Sequence, residues 1–187
     1  MMHFLRSFTI AAALVAAGAA SSQEADSVDN FGLTFDPAPV DVCMEDWLAG
    51  RGRDNDWRDG GAQACIGLAA QACLEGESGN TTVGMSYCVG QEFDLWDKRL
   101  NSAYEAVMAD AKKVDKEMAD LGSAAPETAG PLRQMQRDWI AFRDSACEYE
   151  VSRWGGGTGG GPAGYSCLMT LTAQQYFWLL AYVPDPH

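Results

Sequence analysis

Val89-Gly90-Gln91-Glu92-Phe93-Asp94-Leu95-Trp96-Asp97-Lys98-Arg99-Leu100-Asn101-Ser102-Ala103-Tyr104 is the stretch whose reading decides the fold of this 187-residue chain. Its apolar residues, continued by the segment that follows, fall at Val89, Phe93, Trp96, Leu100, Tyr104, Val107, Ala111, Val114 and Met118. Steps of three and four are the repeat of one face of an α-helix. The spacing predicts one long amphipathic helix over about 84–121. Gly122 and Pro126 interrupt the pattern. It resumes at Leu132, Met135, Trp139, Phe142, Ala146 and Tyr149, which predicts a second helix over about 130–154. Pro162 suits the first turn of a third helix, where its missing N–H costs nothing. Leu168, Leu171, Leu179 and Tyr182 of that helix are expected to face the same core, with Pro184 and Pro186 ending it. Shorter helices are expected over 42–49 and 64–75. No segment alternates with the period of two that marks a half-buried strand. The fold class is therefore all-α, a small antiparallel bundle of three main helices preceded by short ones.

The N-terminus predicts the compartment. Arg6 begins a short basic start, an apolar run covers 8–17, and Ala17-Gly18-Ala19 or Ala20-Ser21-Ser22 offers small residues for cleavage. This is the pattern of a secretion signal over 1–22. The run is far shorter than the roughly 20 residues that span a bilayer, so no membrane insertion is expected. The first cysteine is Cys43, too far downstream for a lipid anchor beside the cleavage point. A periplasmic or secreted protein is expected. The stretch 23–42, with Pro37, Pro39 and several acids but no periodicity, reads as a flexible leader. Residues 43–183 read as one helical domain, long enough to bury a core, and 184–187 as a C-terminal tail.

Six cysteines behind an export signal imply a disulfide framework. Cys147 lies late in the second long helix and Cys167 early in the third, with the glycine-rich loop 155–161 between them. Both are thus placed at one end of the bundle and are expected to pair. Cys73 and Cys88 likewise flank a polar loop over 76–84, leaving Cys43 to join Cys65, although spacing alone leaves other connectivities open.

One ordered set goes beyond periodicity. It runs Cys88, Glu92, Trp96-Asp97, Leu100-Asn101 and Tyr104, then Gln136-Arg137, Trp139, Phe142-Arg143-Asp144 and Cys147, and closes on Cys167. From about Cys73 to Leu180 this order resembles the LprI lysozyme-inhibitor family. The resemblance implies a small exported helical domain, one named member of which inhibits lysozyme. The family often has an arginine in the last helix. Here that region reads Thr172-Ala173-Gln174-Gln175, so any ion pair of that arginine is absent or replaced.

The same residues have a structural reading. Trp96, Tyr104, Trp139 and Phe142 occupy steps of the apolar stripes and are expected in the core. Asn101, Gln136, Arg137 and Arg143 are candidates for hydrogen bonds linking the two long helices, since buried polar groups need partners. Either Glu92 or Asp97 is a candidate counter-ion for Arg143.

Catalysis is disfavoured by inventory. The two histidines are His3, inside the signal, and His187, at the terminus, so no nucleophile–histidine triad can be assembled inside the domain. The cysteines are claimed by disulfides, which leaves no zinc site beyond bare carboxylates. The glycine loop lacks the lysine of a phosphate loop, and no Cys-x-x-Cys is present for redox exchange. A carboxylate pair working as in a glycosidase carries little weight, because among 26 acids some two always lie close. No cofactor and no metal are expected.

Cleavage near Ser22 would remove Arg6 and no acid, making the formal charge of -13 one unit more negative. Such a surface repels nucleic acid and attracts basic proteins. The leading expectation is a non-catalytic exported binding protein that inhibits a basic, lysozyme-like cell-wall hydrolase. The alternative is an envelope scaffold module with no enzyme target.

Overall fold

The computed structural model describes residues 32–50 and 61–184. The predicted signal and its cleavage site lie outside the described residues. Among those described, all regular structure is helical. Helix α1 spans Ala38–Gly50, a 3₁₀ turn spans Ala62–Cys65, and α2 spans Leu68–Leu74. The three long helices follow as α3 over Thr82–Asp120, α4 over Ala129–Ser152 and α5 over Gly160–Leu180.

Local chemistry sets the helix ends. Thr81, in extended backbone, starts α3 by accepting a hydrogen bond on its hydroxyl oxygen from the Gly84 N–H at 2.9 Å. Pro39 occupies the first turn of α1, where no backbone donor is lost, and Asp36 accepts from the Ala38 N–H at 2.9 Å. This corrects the extent of the leader. Residues 32–42, expected to be flexible, contribute Leu33 and Val40 to the core, both fully enclosed. The prolines there serve a helix start and a tight approach to it. Residues 23–31 of the expected leader lie outside the described residues.

All six cysteines are paired as Cys43–Cys65, Cys73–Cys88 and Cys147–Cys167, with Cα–Cα distances of 5.6, 5.6 and 5.4 Å. The first bridge ties α1 to the 3₁₀ turn, the second ties α2 to α3, and the third ties α4 to α5.

Helix α5 is the centre of the bundle. It packs along α3 most extensively and along α4 next, whereas α3 and α4 meet over a shorter stretch. Contact on more than one side explains why Met169, Thr172, Ala173, Gln175, Phe177 and Leu179 are all buried. Of the α5 stripe expected from spacing, Leu179 is fully enclosed, Leu168 and Leu171 are half-buried, and Tyr182 lies beyond the helix end and is 54% exposed. The main core joins Trp96 and Phe177, both fully enclosed, with their rings edge-on at 5.3 Å. Trp47 of α1 adds a tilted contact to Phe177 at 6.0 Å.

The α4 stripe needs a second correction. Phe142 is 59% and Tyr149 68% exposed, so neither joins the core. Seven residues apart, they share the flank of α4 that points away from α5, while Ala129, Gln136 and Cys147 are buried on the inner side. A helix that leans on one neighbour encloses a narrow stripe, narrower than the periodicity allows.

Candidate functional site

Glu92 is fully enclosed on α3. Its carboxylate accepts hydrogen bonds from the Gly67 N–H at 2.6 Å, the Ala70 N–H at 2.7 Å and the Trp96 indole N–H at 2.9 Å. The first four N–H groups of any helix lack intrahelical partners. Glu92 supplies an acceptor for α2 from another element, as a capping side chain does from within. Gly67 makes this possible with φ of 92°, a left-handed conformation that side chains disfavour. Of the two candidate counter-ions for Arg143, Glu92 is therefore not the one used. Its oxygens are already directed at backbone donors and the Trp96 ring.

Asp97 is the counter-ion that Arg143 finds across the bundle, at 3.7 Å. The Arg143 side chain is only 13% exposed and also pairs with Asp144 at 2.8 Å. Its guanidinium lies 5.0 Å from the Trp139 ring centre and 5.8 Å from that of Phe93, within reach of cation–π attraction. One N–H points to the Thr172 hydroxyl at 3.4 Å. A single arginine thus joins α3, α4 and α5. Thr172 belongs to the segment that stands where the family often has arginine, and here it is Arg143 of α4 that reaches it.

Gln136, buried on α4, accepts from the Gln175 side-chain amide of α5 at 3.1 Å. Of the three α4 side chains expected to reach α3, Arg143 does so and Gln136 turns to α5 instead, because α4 packs along α5 more extensively than along α3. The other two candidates stay local. Asn101 is exposed and donates to Asp97 one turn back at 2.9 Å, and Arg137 is exposed and bonds Gln134 at 2.6 Å. Leu100 is buried, with Tyr104 and Trp139 packed beside it against Leu179. Spacing did not single out Tyr176, Phe177 and Trp178, because α5 is apolar on several sides and its stripe has no clear edge.

Asp115 is a further anchor that the sequence did not mark. It accepts from the Ala129 N–H at 2.9 Å, the Thr128 N–H at 2.7 Å and the Thr128 hydroxyl at 2.8 Å, so a side chain of α3 holds the start of α4. The backbone donors of Ala129 and Thr128 lower its pKa below the ordinary carboxylate value. It signals itself only through tertiary approach, since nothing in its spacing differs from its acidic neighbours.

Most of the ordered motif is consequently interior bracing. Open concave surface lies elsewhere. A groove of about 520 Å³ runs between α3, α4 and the end of α5, lined by Val107, Val114, Leu132, Met135, Trp178 and Tyr182 among others. Another, of about 320 Å³, lies on the N-terminal half of α3 beside Tyr165 of α5. Among the described residues no group of three metal-ligating side chains comes together, and no helix is long and apolar enough to cross a membrane.

Comparison with known proteins places this architecture. The model of the family described as lysozyme inhibitor LprI matches residues 73–179, more than half of the chain. The chain belongs to the LprI family. The LprI match begins at Cys73 and includes α3, α4 and nearly all of α5, with two of the three disulfides, while α1 and the Cys43–Cys65 bridge precede it. An uncharacterized protein of Rhizobium meliloti is 31% identical over 91 residues, covering 49% of this chain and 66% of its own. An uncharacterized 17.7 kDa protein of Rhodobacter capsulatus is 24% identical over 119 residues, 63% of this chain and 74% of its own. The uncharacterized protein YecT of Escherichia coli is 34% identical over 67 residues, 35% of this chain and 39% of its own. The chain thus spans just under two thirds of the Rhizobium relative's length. No solved structure gives a significant match.

Proposed function

We propose that this protein is an exported, non-catalytic binding protein that inhibits a basic, lysozyme-like cell-wall hydrolase. The observation that carries the reading is membership of the lysozyme inhibitor LprI family through the helical body of the chain. Three disulfides support an oxidising compartment, and a formal charge of -13 supports attraction to a cationic enzyme. The buried carboxylate of Glu92 is committed to three hydrogen bonds, which favours a structural over an acid–base role.

The test is a turbidity assay in which purified protein is added to a basic lysozyme acting on bacterial cells. Inhibition at micromolar protein and low ionic strength is expected, with a basic protein of similar size and no glycan cleft as the binding control. Equal binding to that control, or full lysozyme activity throughout, would put the scaffold reading ahead.

A further inference from the structure

We infer that the groove on the N-terminal half of α3 is a receptor for an arginine side chain presented by a basic protein partner. Val83, Ser86, Tyr87, Gly90 and Asp94 step by one, three or four along α3, so they form one face of the helix, and this face, with Gln91 and Tyr165 of α5, lines the groove. Gly90 leaves the middle of that face bare. A Cβ there would meet the Tyr165 ring at 3.4 Å, so the ring lies directly over the glycine. One turn further on, Asp94 is exposed and has no hydrogen-bond or ion-pair partner among the described residues. Val83, 52% exposed, gives the opposite end an apolar surface, and Tyr165 is itself 41% exposed.

Those features match one kind of side chain. A guanidinium is planar, stacks on aromatic faces and meets a carboxylate with paired N–H groups. An arginine reaching Asp94 would lie along Tyr165 and leave Gln91 as a further acceptor beside it. The apolar end suits the aliphatic stem or a neighbouring apolar residue of the partner. Charge agrees, since the whole chain is strongly acidic. The larger groove at Trp178 also holds an acid, Asp110, but the rest of its lining is almost wholly apolar and no glycine there brings a ring against bare backbone, so nothing in it selects a planar cation.

The groove gives a contact point to the basic partner proposed above and rests on that reading for the partner's identity, but its chemistry is testable alone. Blocked Gly-Arg-Gly peptide, titrated into the isotopically labelled protein, is expected to produce saturable amide shifts at Gly90, Gln91, Asp94 and Tyr165. A citrulline peptide, equal in shape but neutral, is expected to bind at least about tenfold more weakly, as is the arginine peptide to Asp94→Asn. Asp110→Asn, which alters an acid lining the larger groove, is expected to leave the titration unchanged. Equal response to the citrulline peptide, an unchanged titration in Asp94→Asn, or shifts scattered over the acidic surface would overturn the proposal. A second titration uses lysozyme itself. If the arginine peptide behaves as stated and lysozyme is not inhibited, the groove stands and the inhibitor reading falls. If lysozyme is inhibited equally by Asp94→Asn, the groove is not its contact point and the proposal falls.

Discussion

Replacing Glu92 by alanine strips the acceptor from two backbone N–H groups and the Trp96 indole at a fully enclosed position. A buried donor left unsatisfied costs about 1–3 kcal/mol. The variant is therefore expected to lose roughly 3–5 kcal/mol in urea denaturation, a loss that two or more stranded donors produce together. Asp115 tells a different story, because its anchoring depends on charge. Its folded pKa lies below the unfolded value of about 3.9, so its contribution is fully present above that value and is lost as pH falls through the folded one. Asp115→Asn removes the titration. The fall in melting temperature between about pH 6 and pH 3 is expected to be smaller in this variant than in the parent protein. An equal fall would assign the acid sensitivity to other carboxylates.

Helix α5 is held by aromatic contacts from Trp96 and Trp47 and by one covalent tie to α4. Trp96 is fully enclosed against Phe177 and Tyr176, so Trp96→Ala is expected to cost roughly 3–5 kcal/mol, the range for large aromatics removed from cores. Trp139 is half-buried and keeps one face against Arg143, and its replacement by alanine is expected to cost less, about 2–3 kcal/mol. Chemical denaturation of the pair ranks them directly, and equal costs would contradict the enclosure seen for Trp96. The Cys147–Cys167 bridge closes a loop of 20 residues between α4 and α5. Its removal by double serine substitution is expected to lower stability by about 3 kcal/mol in the chain-entropy model. Gly155 and Gly156 lie within that loop with φ of 57° and 83°, which lets the chain reverse between the helices in few residues.

Across the whole molecule the dominant quantity is charge. With 26 acids against 13 basic side chains, association with a cationic enzyme is expected to be fast at low salt and to weaken as ions screen it. Inhibition measured from low to about 0.5 M salt is expected to fall steadily, and a flat response would point to an apolar contact such as the Trp178 groove. The ion pairs of Arg143 act over less than 4 Å and its side chain is only 13% exposed, so stability is expected to vary less with salt than longer-range binding does. Thermal melts over the same salt range supply the comparison.

Composition, spacing and residue order were enough for the helical class, the extents of α3, α4 and α5, the pairing of Cys147 with Cys167 and the LprI likeness, because helical periodicity and short loops are local properties of the chain. Tertiary structure alone decided which polar residues meet. Glu92 and Asp97 were interchangeable as partners for Arg143 on paper, five residues apart on one helix. In the folded chain one faces the N-terminus of α2 and the other faces α4. Phe142 and Tyr149 carried the same three-and-four signal as Trp139, yet α4 leans on α5 along a stripe too narrow to cover them. The segment 32–42 looked like a leader because it has no repeat, and it became core because Leu33 and Val40 reach gaps formed by distant elements. Periodicity reports which side of a helix is apolar. The neighbour it presses against, and how wide the contact is, depend on where the other helices come to rest.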